Sequence, residues 1–82
     1  MSTQSDSTHL FASLTKREWD VLRLLAQDKT DREVAVLLGI RERTARAHVS
    51  RIIQKLGVAS RVGAAVAYVE WTLRAPGSDL AE

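Results

Sequence analysis

Apolar residues recur at helical spacing through the middle of the chain, and no stretch shows the alternation that is typical of a strand. Two helices are predicted to open with capping boxes, at Thr15 with Glu18 and at Thr30 with Glu33. Gly39 follows the apolar end of the second helix and is expected to be its left-handed C-terminal cap. The pattern therefore predicts an all-α fold, a compact four-helix domain that contains a helix-turn-helix with its turn at Gly39.

The third predicted helix spans about residues 42–56 and has two different faces. At about 100° per residue, one stripe is apolar and contains Ala45, Val49, Ile52 and Leu56. The opposite face consists of Arg43, Arg46, Ala47, Ser50, Arg51 and Gln54. A helix built in this way can pack its back into a small core and place its front in the major groove of DNA.

The fourth predicted helix begins after Ser60, a good N-cap, and continues to about residue 73 or 74. It has two apolar faces. We expect the first face to close the core, and it contains Val62, Val66, Val69 and Leu73. We expect the second face to form a dimer interface, and it contains Ala64, Ala67, Tyr68 and Trp71. A helix that is apolar on both sides in so small a domain indicates a second partner.

Composition limits the function classes. The chain has 82 residues and no cysteine, and its histidines, His9 and His48, are too few and too far apart for a metal site. We expect His48 to be a structural histidine that packs or bonds the backbone. No glycine-rich phosphate loop or nucleophile motif is present, so we predict no cofactor and no enzymatic activity. No apolar run is long enough to span a membrane and the N-terminus resembles no signal peptide, so the expected location is the cytoplasm.

The ends of the chain differ from its middle. Residues 1–13 are rich in Ser, Thr and Gln and are expected to be a flexible leader, although Leu10 and Phe11 can pack back on the domain. Residues 75–82 are expected to be a flexible tail, which leaves 14–74 as the folded domain.

The net charge of +2 is too small to indicate a polyanionic partner, but basic residues concentrate between Arg41 and Arg61, where Glu42 is the only acid. Arg46 is the best candidate for reading a base, because a guanidinium can bond guanine O6 and N7 together. Ala47 can touch a thymine methyl group, and Ser50 and Gln54 can bond bases or phosphates. The remaining candidates are expected to contact or flank phosphates: Thr30, Arg43, Thr44, Arg51, Lys55 and Arg61.

Three blocks, LTKREWDVLRLLAQ, TDREVAVLLGI and RTARAHVSRIIQKLGVASR, closely resemble the LuxR-type (GerE-type) helix-turn-helix domain of bacterial transcription regulators. The resemblance covers residues 14–74. It implies a third helix that reads DNA and a fourth that forms a homodimer. The chain departs from the family at Arg41, where a Ser or Thr cap is usual, at Ala45 for Val, and at Ser50, where Lys is frequent. We expect a complete single-domain regulator rather than a fragment of a longer one.

The main hypothesis is a sequence-specific regulator of transcription that binds double-stranded DNA as a homodimer. An alternative is a protein-interaction module that has kept the fold and binds another regulator or RNA polymerase through the fourth helix. A third possibility is a promoter-binding domain similar to the last region of sigma factors, but the segments of sigma factors that bind core polymerase are missing.

Overall fold

A computed structural model of the chain describes residues 10–74. Residues 10–12 are helical, and four longer helices follow: α1 (Lys16–Leu25), α2 (Asp31–Leu38), α3 (Glu42–Leu56) and α4 (Arg61–Arg74). No strand occurs in this part of the chain. The predicted all-α fold with a helix-turn-helix is confirmed, whereas the predicted tail, 75–82, lies outside the described residues.

The predicted capping boxes are both present. The Thr15 hydroxyl accepts from the Glu18 N–H at 3.1 Å, and the Glu18 carboxylate accepts from the Thr15 N–H at 2.9 Å. Thr30 and Glu33 make the same pair of bonds at 3.1 and 2.9 Å. These bonds satisfy backbone donors that have no partner within the helix, and so they fix where α1 and α2 begin.

Glycines end the two helices of the helix-turn-helix. Gly39 caps α2 with φ 68°, and Gly57 caps α3 with φ 67°. A side chain is unfavourable in this left-handed conformation, which glycine adopts freely. The turn at Gly39 was predicted from the sequence and is confirmed.

The core lies where the four helices meet. The apolar stripe predicted on α3 is buried as expected, and the side chains of Val21, Leu22 and Val34 from α1 and α2 are fully buried beside it.

No single helix within residues 10–74 is long and apolar enough to cross a membrane. Only α3 and α4 taken together reach that length and apolar character, and the chain bends by 62° between them.

The N-terminal boundary of the domain lies earlier than predicted. Phe11 is only 4% exposed, and its ring stacks on Trp19 with centroids 5.7 Å apart and on Trp71 with centroids 5.3 Å apart. Residues 10–13 therefore belong to the folded domain, and the leader predicted for 1–13 extends too far. The remainder of that leader, 1–9, lies outside the described residues.

The prediction for the two faces of α4 is wrong. The face expected to form a dimer, Ala64, Ala67, Tyr68 and Trp71, packs on the core of the same chain. The face expected to close the core is exposed instead, by 67% at Val62, 49% at Val66, 43% at Val69 and 79% at Leu73.

Two contacts explain this orientation of α4. The Trp71 ring completes an aromatic cluster with Phe11 and Trp19, and Tyr68 meets Trp19 edge-on with centroids 5.9 Å apart. Gly63 also faces the loop before α4, where a Cβ on Gly63 would lie 3.0 Å from the Cβ of Val58. The small residues Gly63 and Ala64 therefore face inward where α4 approaches the preceding loop, and the large rings of Tyr68 and Trp71 face inward where they meet Phe11 and Trp19.

Candidate nucleic-acid interface

The outer face of α3 is open to solvent along most of its length. Its inner stripe is buried, with Ala45 and Ile52 at 0% exposure. The exposed side chains include every residue predicted for this face, together with Thr44 at its beginning. They are Arg43, Thr44, Arg46, Ala47, Ser50, Arg51 and Gln54.

The N-terminus of α3 has no side-chain cap. Arg41 is the N-cap residue with φ −79° and ψ 151°, and its side chain bonds no backbone N–H of the first turn. A Ser or Thr at this position could accept from those N–H groups. The first amides of α3 therefore keep donors that can reach an anion such as a phosphate.

Asp31, the first residue of α2, brings the beginnings of α2 and α4 together with α3. Its Oδ1 accepts from Nη1 of Arg61 at 2.7 Å, and its Oδ2 lies 3.7 Å from Nε of Arg46. Arg46 also donates from Nη2 to Oε2 of Glu42 at 3.2 Å, one helical turn earlier. The best candidate for base reading thus lies between two carboxylates.

Lys55 is engaged within the domain, which corrects its assignment to phosphate binding. Its Nζ donates to Oε1 of Glu18 at 2.7 Å and to the carbonyl oxygen of Ser13 at 3.1 Å. Burial by itself raises the pKa of the Glu18 carboxyl, but the Lys55 ammonium and the Thr15 N–H outweigh it and hold this pKa below its ordinary value. Lys55 links the end of α3 to the beginning of α1.

Thr30 and Arg61 also have partners within the domain. The Thr30 hydroxyl caps α2, and its backbone N–H lowers the pKa of the Glu33 carboxyl that accepts from it. Arg61 bonds Asp31 and also donates from Nη2 to the Lys29 carbonyl at 2.9 Å. Both side chains shape the turn before α2, and any contact with DNA has to compete with these bonds.

His48 lies on the edge of the buried stripe of α3 and is half-buried. Its Nδ1 is buried and has no hydrogen-bond partner among residues 10–74. Of the two structural roles expected for His48, packing or bonding the backbone, its position fits the first. Within residues 10–74, no group of three or more His, Cys, Asp or Glu side chains could hold a metal ion.

The comparison with known proteins identifies the family. Residues 12–68 match the family described as bacterial regulatory proteins, luxR family. The chain belongs to the LuxR family. Its helix-turn-helix is the DNA-binding domain of this family of transcription regulators, as the resemblance in the sequence indicates.

Two relatives and one solved structure show how much of the LuxR-family domain is shared. The chain is 55% identical over 53 residues to spore germination protein GerE of Bacillus subtilis. These 53 residues are 65% of the chain and 72% of GerE. It is 40% identical over 60 residues to the nitrate/nitrite response regulator protein NarP of Escherichia coli. These 60 residues are 73% of the chain and 28% of NarP. Among solved structures, the chain is similar to the structure of the transcription factor GerE, with a TM-score of 0.64. This structural match covers 70% of the chain and 85% of the solved GerE chain, and the sequence identity over it is 38%.

The matched part therefore makes up most of GerE but less than a third of NarP. GerE and NarP are named as a germination protein and a response regulator, and neither name is that of an enzyme. The similarity to both lies in the helix-turn-helix domain described above.

The acidic partners of the outer face of α3 were not predicted from the sequence. A signal was available for Glu42, because it precedes Arg46 by four residues on the same helix. No signal was available for Asp31, since its contacts with Arg46 and Arg61 depend on how three separate helices pack. Charge counted along the chain therefore overstated how basic this face is.

Proposed function

We propose that this protein is a sequence-specific regulator of transcription that binds double-stranded DNA as a homodimer, with α3 in the major groove. The observation that carries the proposal is the division of α3 into a buried apolar stripe and an exposed face rich in arginine. Membership of the LuxR family supports the same function. The protein would then act in the bacterial cytoplasm, where the DNA lies.

The proposed roles on α3 follow from chemistry and position. Arg46, Ala47 and Ser50 occupy the middle of the exposed face, where side chains can reach base edges. Arg43 and Arg51 make no ion pair with another residue of 10–74, so their charges are available for phosphates. Thr44 and the uncapped amides of α3 would add contacts to the DNA backbone, and Gln54 would lie at the far end of the groove.

The proposed dimer uses the outer face of α4, defined here as Val62, Val66, Val69 and Leu73. These side chains are between 43% and 79% exposed and follow one another along one side of the helix. A continuous apolar stripe on a small domain indicates a protein interface. Pairing through a twofold axis would bury the same stripe on both subunits and place two α3 helices on successive half-sites.

DNA binding is tested by selecting duplexes from a randomised library with the purified protein and measuring fluorescence anisotropy at several salt concentrations. Arg46→Ala is expected to cost about 1 to 3 kcal/mol on the selected site and to relax selectivity at one base pair. Arg51→Ala is expected to weaken all duplexes alike and to lower the salt slope by about 1. The matched control is Arg23→Ala on α1, which should change neither. Failure of the wild-type protein to enrich any sequence would refute the proposed function.

The dimer is tested by analytical ultracentrifugation of two variants that each add one acidic side chain. Val66→Glu places a charge in the proposed interface and is expected to give a folded monomer. Ala47→Glu places the same charge on the outer face of α3, so the dimer should persist while DNA binding is lost. A wild-type protein that remains monomeric at high concentration would instead favour the alternative function, in which the outer face of α4 binds another regulator or RNA polymerase.

A further inference from the structure

Asp31 has an unusual position for an acidic residue, because it lies beside the proposed DNA-reading face and contacts arginines from two other helices. Its side chain is only 21% exposed, compared with 58% for Arg46. Arg61 donates to one carboxylate oxygen at 2.7 Å, which leaves the other oxygen for Arg46 at 3.7 Å.

The position of the Asp31 carboxylate is fixed by Arg61 and by the beginning of α2. Arg61, which bonds it, is itself anchored by the bond from Nη2 to the Lys29 carbonyl at 2.9 Å. Asp31 also begins α2, so its backbone is fixed by the adjacent capping box. A negative charge is therefore present at a defined point beside Arg46 before any DNA arrives.

The Arg46 guanidinium is contacted along one edge. Nε lies next to Asp31, and Nη2 donates to Glu42 at 3.2 Å. Nη1 has no hydrogen-bond or ion-pair partner among residues 10–74. The remaining edge, formed by Nη1 and the second hydrogen of Nη2, is the forked end that can bond guanine O6 and N7 together.

We propose that Asp31 and Glu42 are specificity-determining residues that act through Arg46. They orient its guanidinium with the forked end outward, and their negative charges disfavour contact between this part of the face and phosphates. The inference rests on the proposed DNA-binding function. It assigns to two acidic residues a role in choosing between the correct site and other DNA.

The physical reason is that bases and phosphates differ in charge. Guanine O6 and N7 are neutral acceptors, so Arg46 can bond them while keeping both carboxylates beside it. A phosphate approaching the same guanidinium would also come close to two carboxylates, whose negative charges offset the attraction of Arg46 and Arg61. The two acids thus lower affinity for DNA in general more than affinity for the correct site.

The experiment compares wild type and Asp31→Asn by anisotropy on a duplex selected by the wild-type protein and on a random duplex of equal length. Asp31→Asn is expected to strengthen binding to the random duplex by about threefold to tenfold at moderate salt, and to strengthen binding to the selected duplex less. The ratio of the two affinities should therefore fall. Asp31→Glu, which keeps the charge, should retain most of the ratio.

A matched control separates this role from a simple change of net charge. Asp20→Asn removes a carboxylate of similar exposure, 26%, from an ion pair with Arg17 on α1. It should leave the affinity ratio unchanged. An equal fall of the ratio in Asp20→Asn and Asp31→Asn would overturn the proposal.

A double-mutant cycle tests whether Asp31 acts through Arg46. In the Arg46→Ala background, Asp31→Asn should no longer change the affinity ratio, because the guanidinium that it orients is absent. The same fall of the ratio in both backgrounds would contradict the inference. Glu42→Gln, which does not disturb the Arg61 anchor, should lower the ratio in the same direction even if Asp31→Asn proves too unstable to purify.

The outcomes also distinguish this inference from the proposed function. If the wild-type protein selects no sequence, the proposed function itself fails. If it selects a sequence but neither Asp31→Asn nor Glu42→Gln lowers the affinity ratio, the proposed function stands and the specificity role of the two acids is refuted.

Discussion

α3 and α4 are adjacent helices of nearly equal length, 15 and 14 residues, but their surfaces divide differently. α3 has one buried apolar stripe and one polar face. α4 has two apolar faces, of which the inner one is made of small and aromatic side chains and the outer one of valines and a leucine. The difference shows that a polar outer face lets α3 face water without a partner, whereas the exposed apolar outer face of α4 is the surface for which we propose a protein partner.

The largest expected effect tests the inner side of α3. Ile52 is fully buried, so Ile52→Ala leaves a cavity and is expected to lower the free energy of unfolding by about 2 to 5 kcal/mol. Urea denaturation followed by circular dichroism measures this loss, at one fixed protein concentration because a dimer would make stability depend on concentration.

The matched control for Ile52→Ala is Gln54→Ala, on the exposed face of the same helix. It should change the free energy of unfolding by no more than about 0.5 kcal/mol. Equal losses in the two variants would contradict the division of α3 into a core face and an open face.

The second prediction tests the two faces of α4. Trp71 lies 5.3 Å from both Phe11 and Trp19, ring centre to ring centre, and Trp71→Ala is expected to lower the free energy of unfolding by about 2 to 4 kcal/mol. Leu73→Ala, on the outer face, should change it by at most about 0.5 kcal/mol when measured in the monomeric Val66→Glu background. A larger loss for Leu73→Ala would show that the leucine, not the tryptophan, faces the core.

The contrast between the two helices also explains which predictions from the sequence succeeded. Periodicity oriented α3 correctly, because arginines on one side left a single possible core face. It could not orient α4, since both of its faces are apolar and the periodicity of each is equally good. Tertiary contacts decide the orientation of α4. Phe11, which is distant from Trp71 in the sequence, stacks on it, and Gly63 lets α4 approach Val58.

The same distinction applies to the candidate DNA-binding residues. The positions exposed on α3 were predictable from helical geometry and the capping boxes from local spacing. The engagement of Lys55 by Glu18 and of Arg61 by Asp31 was not, because each pair joins residues that are distant in the chain. A count of basic residues therefore pointed to α3 as the candidate helix but did not show which of the candidate basic side chains already have partners among residues 10–74.

The third prediction concerns Lys55, which lies on α3 but serves the domain rather than its exposed face. Lys55→Met removes the partner of Glu18, which is only 3% exposed, and is expected to lower the free energy of unfolding by about 1 to 2 kcal/mol near neutral pH. The salt slope for DNA binding should not change, because no phosphate contact is lost. Lys16→Met on α1, which removes an exposed lysine, is the control for stability.

This prediction also has a dependence on pH with a defined sign. The pKa of Glu18 is lowered in the folded state, so its bonds contribute stability above the unfolded pKa, and this stability is lost as the pH falls through the folded pKa. The difference in stability between wild type and Lys55→Met should therefore shrink as the solution is acidified below the ordinary carboxyl pKa of 4.5. A difference that stays constant through this acid range would argue against the ion pair as its cause.

The smallest expected effect lies at Gly57, where α3 ends and the chain turns toward α4. A Cβ at Gly57 meets no atom within 4 Å, so the cost of Gly57→Ala comes only from its φ of +67° and is expected to be about 1 kcal/mol in the free energy of unfolding. Gly57→Asn should cost less, because asparagine tolerates the left-handed conformation better than alanine does. Thermal unfolding of the two variants measures the difference. Equal costs in the two variants would contradict a backbone origin of the loss, because alanine and asparagine differ in how well they tolerate the left-handed φ at this position.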